Sequence, residues 1–154
     1  MYFSIGAHPG FRCPMLPQEQ LEDYYLEFEN DLLEITQLHE GLRTPDTKRL
    51  PLLKKQLPLS SNLFNNDALV LEGQQVNQIV LKSNLHQHSV TLICKNWPFF
   101  GIWSKKGNQD FICLEPWFGI ADANEPEKDF TNKKGILKLE ANKHFACEYT
   151  LVLK

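Results

Sequence analysis

The chain is short of arginine and carries no pair of cysteines at metal-binding spacing. Arg12, Arg43 and Arg49 are the only arginines; they are dispersed, and the net charge is −3. Bulk electrostatics therefore points away from nucleic acid. Cys13, Cys94, Cys113 and Cys147 form no CxxC pair, so reduced core thiols in a cytoplasmic protein are expected rather than a disulfide framework or a zinc knot. No apolar run approaches the ~20 residues of a membrane-spanning helix. The opening Met1-Tyr2-Phe3-Ser4 has neither the basic region nor the long apolar core of a secretion signal. There is also no internal repeat, low-complexity tract or linker. What remains is a chain of 154 residues with the apolar and charged fractions of a soluble globular protein. It is most simply one domain over residues 1–154.

Short strand-like runs dominate. Tyr2 to Ala7 alternates, with Phe3, Ile5 and Ala7 on one side and Ser4, Gly6 and His8 on the other. His8 thus shares a face with two small residues, which leaves room for a ligand. Tyr24–Glu29 and Leu32–Leu38 flank Asn30-Asp31 and read as a hairpin. Glu40–Thr47 reads as a polar loop, Arg49–Leu53 as a short strand, and 58–66 as a helical turn or loop. Strands are expected over 67–72, 78–82, 89–95, 99–104, 110–115, 135–139 and 144–153, with a turn at Lys105-Lys106-Gly107-Asn108. Many short strands with little helix predict an all-β fold, an antiparallel β-sandwich or barrel.

The most informative stretch is Phe111-Ile112-Cys113-Leu114-Glu115-Pro116-Trp117-Phe118-Gly119-Ile120. Alternation puts Phe111, Cys113 and Glu115 on one face and Ile112 and Leu114 on the other, both apolar up to the acid. Pro116 offers no N–H to a ladder, so regular pairing is expected to fail where the acid sits. A carboxylate walled by Trp117 and Phe118 is a candidate general acid or base, because desolvation raises its pKa towards neutrality. The plain alternative is a solvated or lysine-paired Glu at a strand end.

Gly6-Ala7-His8-Pro9-Gly10-Phe11, Phe64-Asn65-Asn66-Asp67-Ala68-Leu69-Val70-Leu71 and Cys113-Leu114-Glu115-Pro116-Trp117, in that order, resemble the aldose 1-epimerase (galactose mutarotase-like) family. The closest resemblance is to its bacterial LacX-type branch. Trp97 to Trp103 and Lys134 to Leu139 add to the likeness, which runs the length of the chain. The resemblance implies a large twisted antiparallel sandwich that interconverts the α and β anomers of an aldose such as glucose or galactose. It implies no metal or cofactor. By motif, His8 matches the histidine that protonates the ring oxygen, Glu115 the base that takes the anomeric hydroxyl proton, and Asp67 an acid that bonds sugar hydroxyls. Those residue types suit the chemistry, since an imidazole with an ordinary pKa near 6.5 and a buried carboxyl can exchange protons near neutrality. Trp103 and Trp117 are candidates to stack on a sugar, whereas Phe100 is better read as core.

The chain also departs from the family. Usual members are roughly twice as long and carry an arginine and a second histidine in an earlier His-Gly-Phe-x-Arg-like motif, which is lacking here. The chain resembles the C-terminal half. Self-association, or a partner that supplies the N-terminal half, is therefore expected at Tyr2–Ala7 and its neighbours. Two other functions compete. A cupin-like metal enzyme would use His86-Gln87-His88, but no carboxylate follows at the usual spacing and the only later histidine is His144. A non-catalytic carbohydrate-binding sandwich would need aromatic residues but no acid–base pair.

Overall fold

A computed structural model describes residues 1–107 and 110–154. The turn expected at Lys105–Asn108 lies partly outside the described residues. In chain order the strands are β1 (Tyr2–Phe3), β2 (Gly10–Arg12), β3 (Tyr24–Glu27), β4 (Leu32–His39), β5 (Leu42–Pro51), β6 (Gln56–Pro58), β7 (Leu69–Glu72), β8 (Gln78–Ser83), β9 (Ser89–Ile93), β10 (Phe99–Trp103), β11 (Phe111–Trp117), β12 (Leu137–Lys138) and β13 (Thr150–Leu153). Among the described residues only two single 3-10 turns interrupt them, and no helix is long and apolar enough to cross a membrane.

All pairings between these strands are antiparallel. A six-stranded sheet has the order β2-β11-β10-β7-β4-β5, a five-stranded sheet the order β13-β9-β8-β3-β6, and β1 pairs with β12. The two large sheets form the expected sandwich. Period-2 patterning decides which face goes inward. Tyr24 and Leu26, Ile79 and Leu81, and Val90 and Leu92 of the smaller sheet meet Leu33, Ile35, Leu71, Phe100, Ile102, Ile112 and Leu114 of the larger one in a single core. Phe100 is therefore core. The outer face of the six-stranded sheet is not bare either. Val70, Phe99 and Ile120 are buried there, with Leu38, Ala68 and Trp117 packed against them.

Three local expectations are corrected. Tyr24–Glu29 and Leu32–Leu38 do not form a hairpin, because β3 lies in the small sheet and β4 in the large one. Asn30-Asp31 is the corner where the chain crosses the core. Residues 40–47 are not a loop. Glu40 and Gly41 both have positive φ (51° and 79°), the pair of left-handed residues that a two-residue hairpin turn needs, and β5 returns from it along β4. β5 reads as polar because it is an edge strand, and its Pro45 sits where the β4–β5 register shifts between Thr36 and Leu38. Nor does pairing stop at Glu115: β11 continues through Pro116, opposite Phe100, to Trp117, opposite Phe99. In an antiparallel ladder a residue's N–H and C=O point to the same side. The Pro116 carbonyl accepts from Ala7 N–H at 3.0 Å, so its missing donor faces the irregular Ser4–Pro9 segment and costs the β10 side nothing.

Two glycines make room for one ring. A Cβ on Gly101 would lie 2.2 Å from Trp117 Cη2, and one on Gly6 would lie 2.6 Å from Trp117 Cδ1. The indole therefore lies across both positions. Gly101→Ala is expected to destabilise the fold by about 1–3 kcal/mol through displaced packing. Gly10→Ala, whose Cβ would meet Cys113 Sγ at an ordinary 3.5 Å, should stay within about 0.5 kcal/mol. Equal urea midpoints for the two variants would show that the indole does not lie there.

Candidate active site

Glu115 is the buried acid of the outer face. β11 alternates as expected: Ile112, Leu114 and Pro116 point into the core, and Cys113, Glu115 and Trp117 point outward. Only 5% of the Glu115 side chain is exposed. Its ladder neighbour on β10 is Gly101, which contributes no side chain, and the Trp117 indole fills that space.

His8 is delivered by the chain entering from the other side. Ala7 N–H to Pro116 O (3.0 Å), Leu114 N–H to Pro9 O (3.2 Å) and Phe118 N–H to Ile5 O (2.8 Å) lay residues 5–9 alongside β11. His8 is thereby set against Glu115, and its Nδ1 contacts Glu115 Oε2 directly. Most of the imidazole, 64%, remains exposed. Its Nε2 lies 3.9 Å from Cys113 Sγ, and Trp103 flanks the ring with centroids 6.1 Å apart.

The electrostatics follow from this burial. Desolvation pushes the Glu115 carboxyl above its ordinary range, although hydrogen bonding to His8 and Trp117 and the His8 charge pull the other way. Burial likewise lifts the Cys113 thiol to about 11, with the Glu115 charge adding to it. At neutral pH the thiol is protonated and Glu115 is primed to hold a proton more tightly than an ordinary carboxylate.

A hollow of about 320 Å³ lies against Trp117, lined by Ser4, Ile5, Gly6, Trp117, Gly119, Ile120 and Ala121; neither His8 nor Glu115 lines it. Ser4 and Gly6, the small residues on the His8 face, leave this space, and Trp117 forms its wall. Asp67 is placed elsewhere. Glu115 pairs with Gly101, and Gly101 with Val70 of β7, three residues beyond Asp67. Asp67 is exposed, has a φ of 85°, accepts from Ala68 N–H at 2.7 Å and lines a different hollow with Asn62 and Asn66.

Two polar clusters escaped sequence reading. On β7 Glu72 accepts from Thr36 Oγ1 at 2.9 Å and pairs with Lys134 and with Arg43 at 3.6 Å. Burial raises its pKa, but Lys134, Thr36 and Arg43 together hold it below the usual range. Alternation with Val70 was the available signal for its outward direction. The second cluster joins Glu19, Tyr24 and His86. His86 Nε2 lies 3.2 Å from both Tyr24 Oη and Glu19 Oε2, and His86 Nδ1 accepts from His88 N–H at 3.0 Å. His86 is thus engaged in a polar network at the β8–β9 turn. No sequence spacing links Glu19 to His86.

No family model matches the chain. Protein LacX of Lactococcus lactis subsp. lactis, in chromosomal and plasmid forms, is 31% identical over 147 residues, covering 90% of this chain and 48% of that protein. The galactose mutarotase related enzyme of Lactobacillus acidophilus superposes with a TM-score of 0.90 at 28% identity, over 100% of this chain and 52% of that one. A galactose mutarotase-like protein of Lactobacillus casei ATCC 334 gives 0.79 at 28% identity, over 99% and 52%. The chain spans about half the length of these relatives.

A carboxyl whose folded pKa exceeds its unfolded value stabilises the fold at low pH, and that contribution is lost as pH rises through the folded pKa. Glu115→Gln, which cannot ionise, should therefore gain stability relative to the parent chain as pH rises from about 4 to about 8. Urea midpoints at the two pH values measure this. A Glu115→Gln midpoint that stays level or falls relative to the parent's between the two pH values would contradict the direction assigned to Glu115.

Proposed function

Since the chain belongs to the galactose mutarotase-like family and spans about half the length of its LacX-type relatives, we propose that it performs the acid–base step of aldose 1-epimerisation. The observation that carries this reading is the direct contact between exposed His8 and buried Glu115. Both oxygens that exchange protons in anomerisation are attached to C1 of the sugar, so the acid and the base must act close together. Glu115 takes the proton from the anomeric hydroxyl, and the oxygen's electron pair forms the C1 carbonyl. The bond from C1 to the ring oxygen breaks, and His8 donates its Nε2 proton to that oxygen. Rotation about C1–C2 and re-closure with the roles reversed gives the other anomer. Because His8 Nδ1 touches Glu115, the pair can return its own protons directly.

Trp117 and Trp103 are the proposed stacking surfaces for the sugar's apolar face. Asp67 lines a separate hollow, and its proposed role as acceptor for a sugar hydroxyl rests on the family resemblance of its motif alone. Three buried thiols, Cys13, Cys94 and Cys113, fit a reducing compartment such as the cytoplasm.

We also propose that β13 takes strands from the complementary half of a mutarotase-like domain. Leu151 and Leu153 are in register with core residues Leu92 and Val90, so they share the inward face, yet 41% and 72% of their surface is exposed. β13 is also the last strand of its sheet. The relatives continue for about as much chain again, which matches a covering of this size.

His8→Gln and Glu115→Gln should each lower kcat for galactose or glucose anomerisation, followed by polarimetry, by about 10²–10⁴-fold. The assay is run with the chain alone and with the uncovered half of Lactococcus lactis LacX added. Unchanged rates in both variants would leave a sugar-binding module as the function. Asp67→Asn should raise KM with kcat little changed, and an unaltered KM would remove Asp67 from the site. Sedimentation should show a one-to-one complex of the two halves. A chain that stays monomeric in the mixture, or pairs only with itself, would overturn the docking proposal.

A further inference from the structure

Three different donor types converge at the candidate site. One imidazole nitrogen of His8, the Cys113 sulfur and one carboxylate oxygen of Glu115 all lie within 4.8 Å of one another. Cys113 and Glu115 are two residues apart on the outer face of β11, so the strand fixes their spacing. His8 approaches from the adjoining segment, and its largely exposed ring has room to tilt. Metal–sulfur bonds of about 2.3 Å and metal–nitrogen bonds of about 2.0–2.1 Å at a tetrahedral angle require sulfur and nitrogen to be about 3.6 Å apart. His8 Nε2 and Cys113 Sγ are 3.9 Å apart, a few tenths from that value; Nδ1 is the nitrogen that faces Glu115 without an ion, so the ring turns to present a single nitrogen to the metal.

We propose that His8, Cys113 and Glu115 form a site for a borderline-soft divalent cation of the zinc or cobalt class. Each side chain gives one donor and water completes a tetrahedron. A thiolate, imidazole and carboxylate set selects such an ion over magnesium or calcium, which favour oxygen donors alone. The Cys113 S–H bond breaks on binding: its proton leaves to solvent, and the sulfur's electron pair goes to the metal. The ion replaces the His8–Glu115 contact, so both groups are withdrawn from proton transfer. The ion is thereby an inhibitor of the site and not its cofactor. That consequence rests on the proposed epimerase reading, whereas the binding itself does not.

Co²⁺ is the probe. Titrating it into the full chain should give tetrahedral cobalt absorption with a thiolate-to-cobalt band, at one ion per chain, and should release protons in weak buffer. The band should persist in excess Mg²⁺. Cys113→Ser should abolish it, and His8→Gln should weaken binding at least about tenfold. Cys147→Ser and His88→Gln, which alter a thiol and an imidazole outside the site, should leave it unchanged. If Cys113→Ser does not fold, His8→Gln decides the matter, because its ring is mostly solvent-exposed. A band that survives Cys113→Ser, a Co²⁺ affinity unchanged in His8→Gln, or a band that disappears with Cys147→Ser would overturn the proposal. So would the lack of any band at millimolar Co²⁺. If Co²⁺ binds as described but the parent chain shows no anomerisation, the epimerase reading fails while the metal site stands.

Discussion

The outer face of this protein is arranged around one carboxyl placed where water cannot solvate it. Burial of Glu115 opposes its charge, and the His8 contact compensates only in part. Keeping the two together requires the chain to bring residues from opposite ends of the sequence into contact. Three backbone hydrogen bonds between residues 5–9 and 114–118 do this. They in turn depend on Pro116, whose single lost donor falls on the side where the pairing is already irregular. Gly6 and Gly101 then allow the Trp117 indole to lie flat beside the acid and exclude water from it. Each feature follows from the one before, which is why the site is dense in Gly, Pro and Trp.

The six-stranded sheet carries two different surfaces. Its inner face is an ordinary aliphatic and aromatic core shared with the five-stranded sheet. Its outer face mixes a small apolar cluster around Val70 and Phe99 with ion-paired groups at Glu72, Arg43 and Lys134. The exposed Asp67 hollow and the Trp117-walled hollow lie at different places on the fold.

What could be read from the sequence was whatever period-2 alternation controls. β11 showed its two faces because both are buried, although the strand runs past Glu115 to Trp117. Two kinds of information were hidden. Sheet membership was one: β3 and β4 are neighbours in sequence but belong to different sheets, and a two-residue polar corner looks like a hairpin turn when only propensity is visible. Edge position was the other: β5 has no need to be apolar, so its residues resemble a loop until the Glu40-Gly41 turn is seen to fold them back. The Glu19–Tyr24–His86 network was invisible for a different reason, since its partners are brought together by packing and share no local pattern.

The acid, its histidine and the indole beside them all come from the stretch of chain that matches half of the longer relatives. The His8–Glu115 contact therefore needs no residue from elsewhere. By contrast, the inward-facing Leu151 and Leu153 have core partners on one side and solvent on the other. Exposed leucines in register with a core cost stability at about 25 cal/mol per Å² of apolar surface left in water. The two regions thus make different demands. The His8–Glu115 pair is already assembled by local β pairing, while the β13 edge leaves Leu151 and Leu153 exposed to water. Covering that edge would raise stability by removing this apolar surface from water.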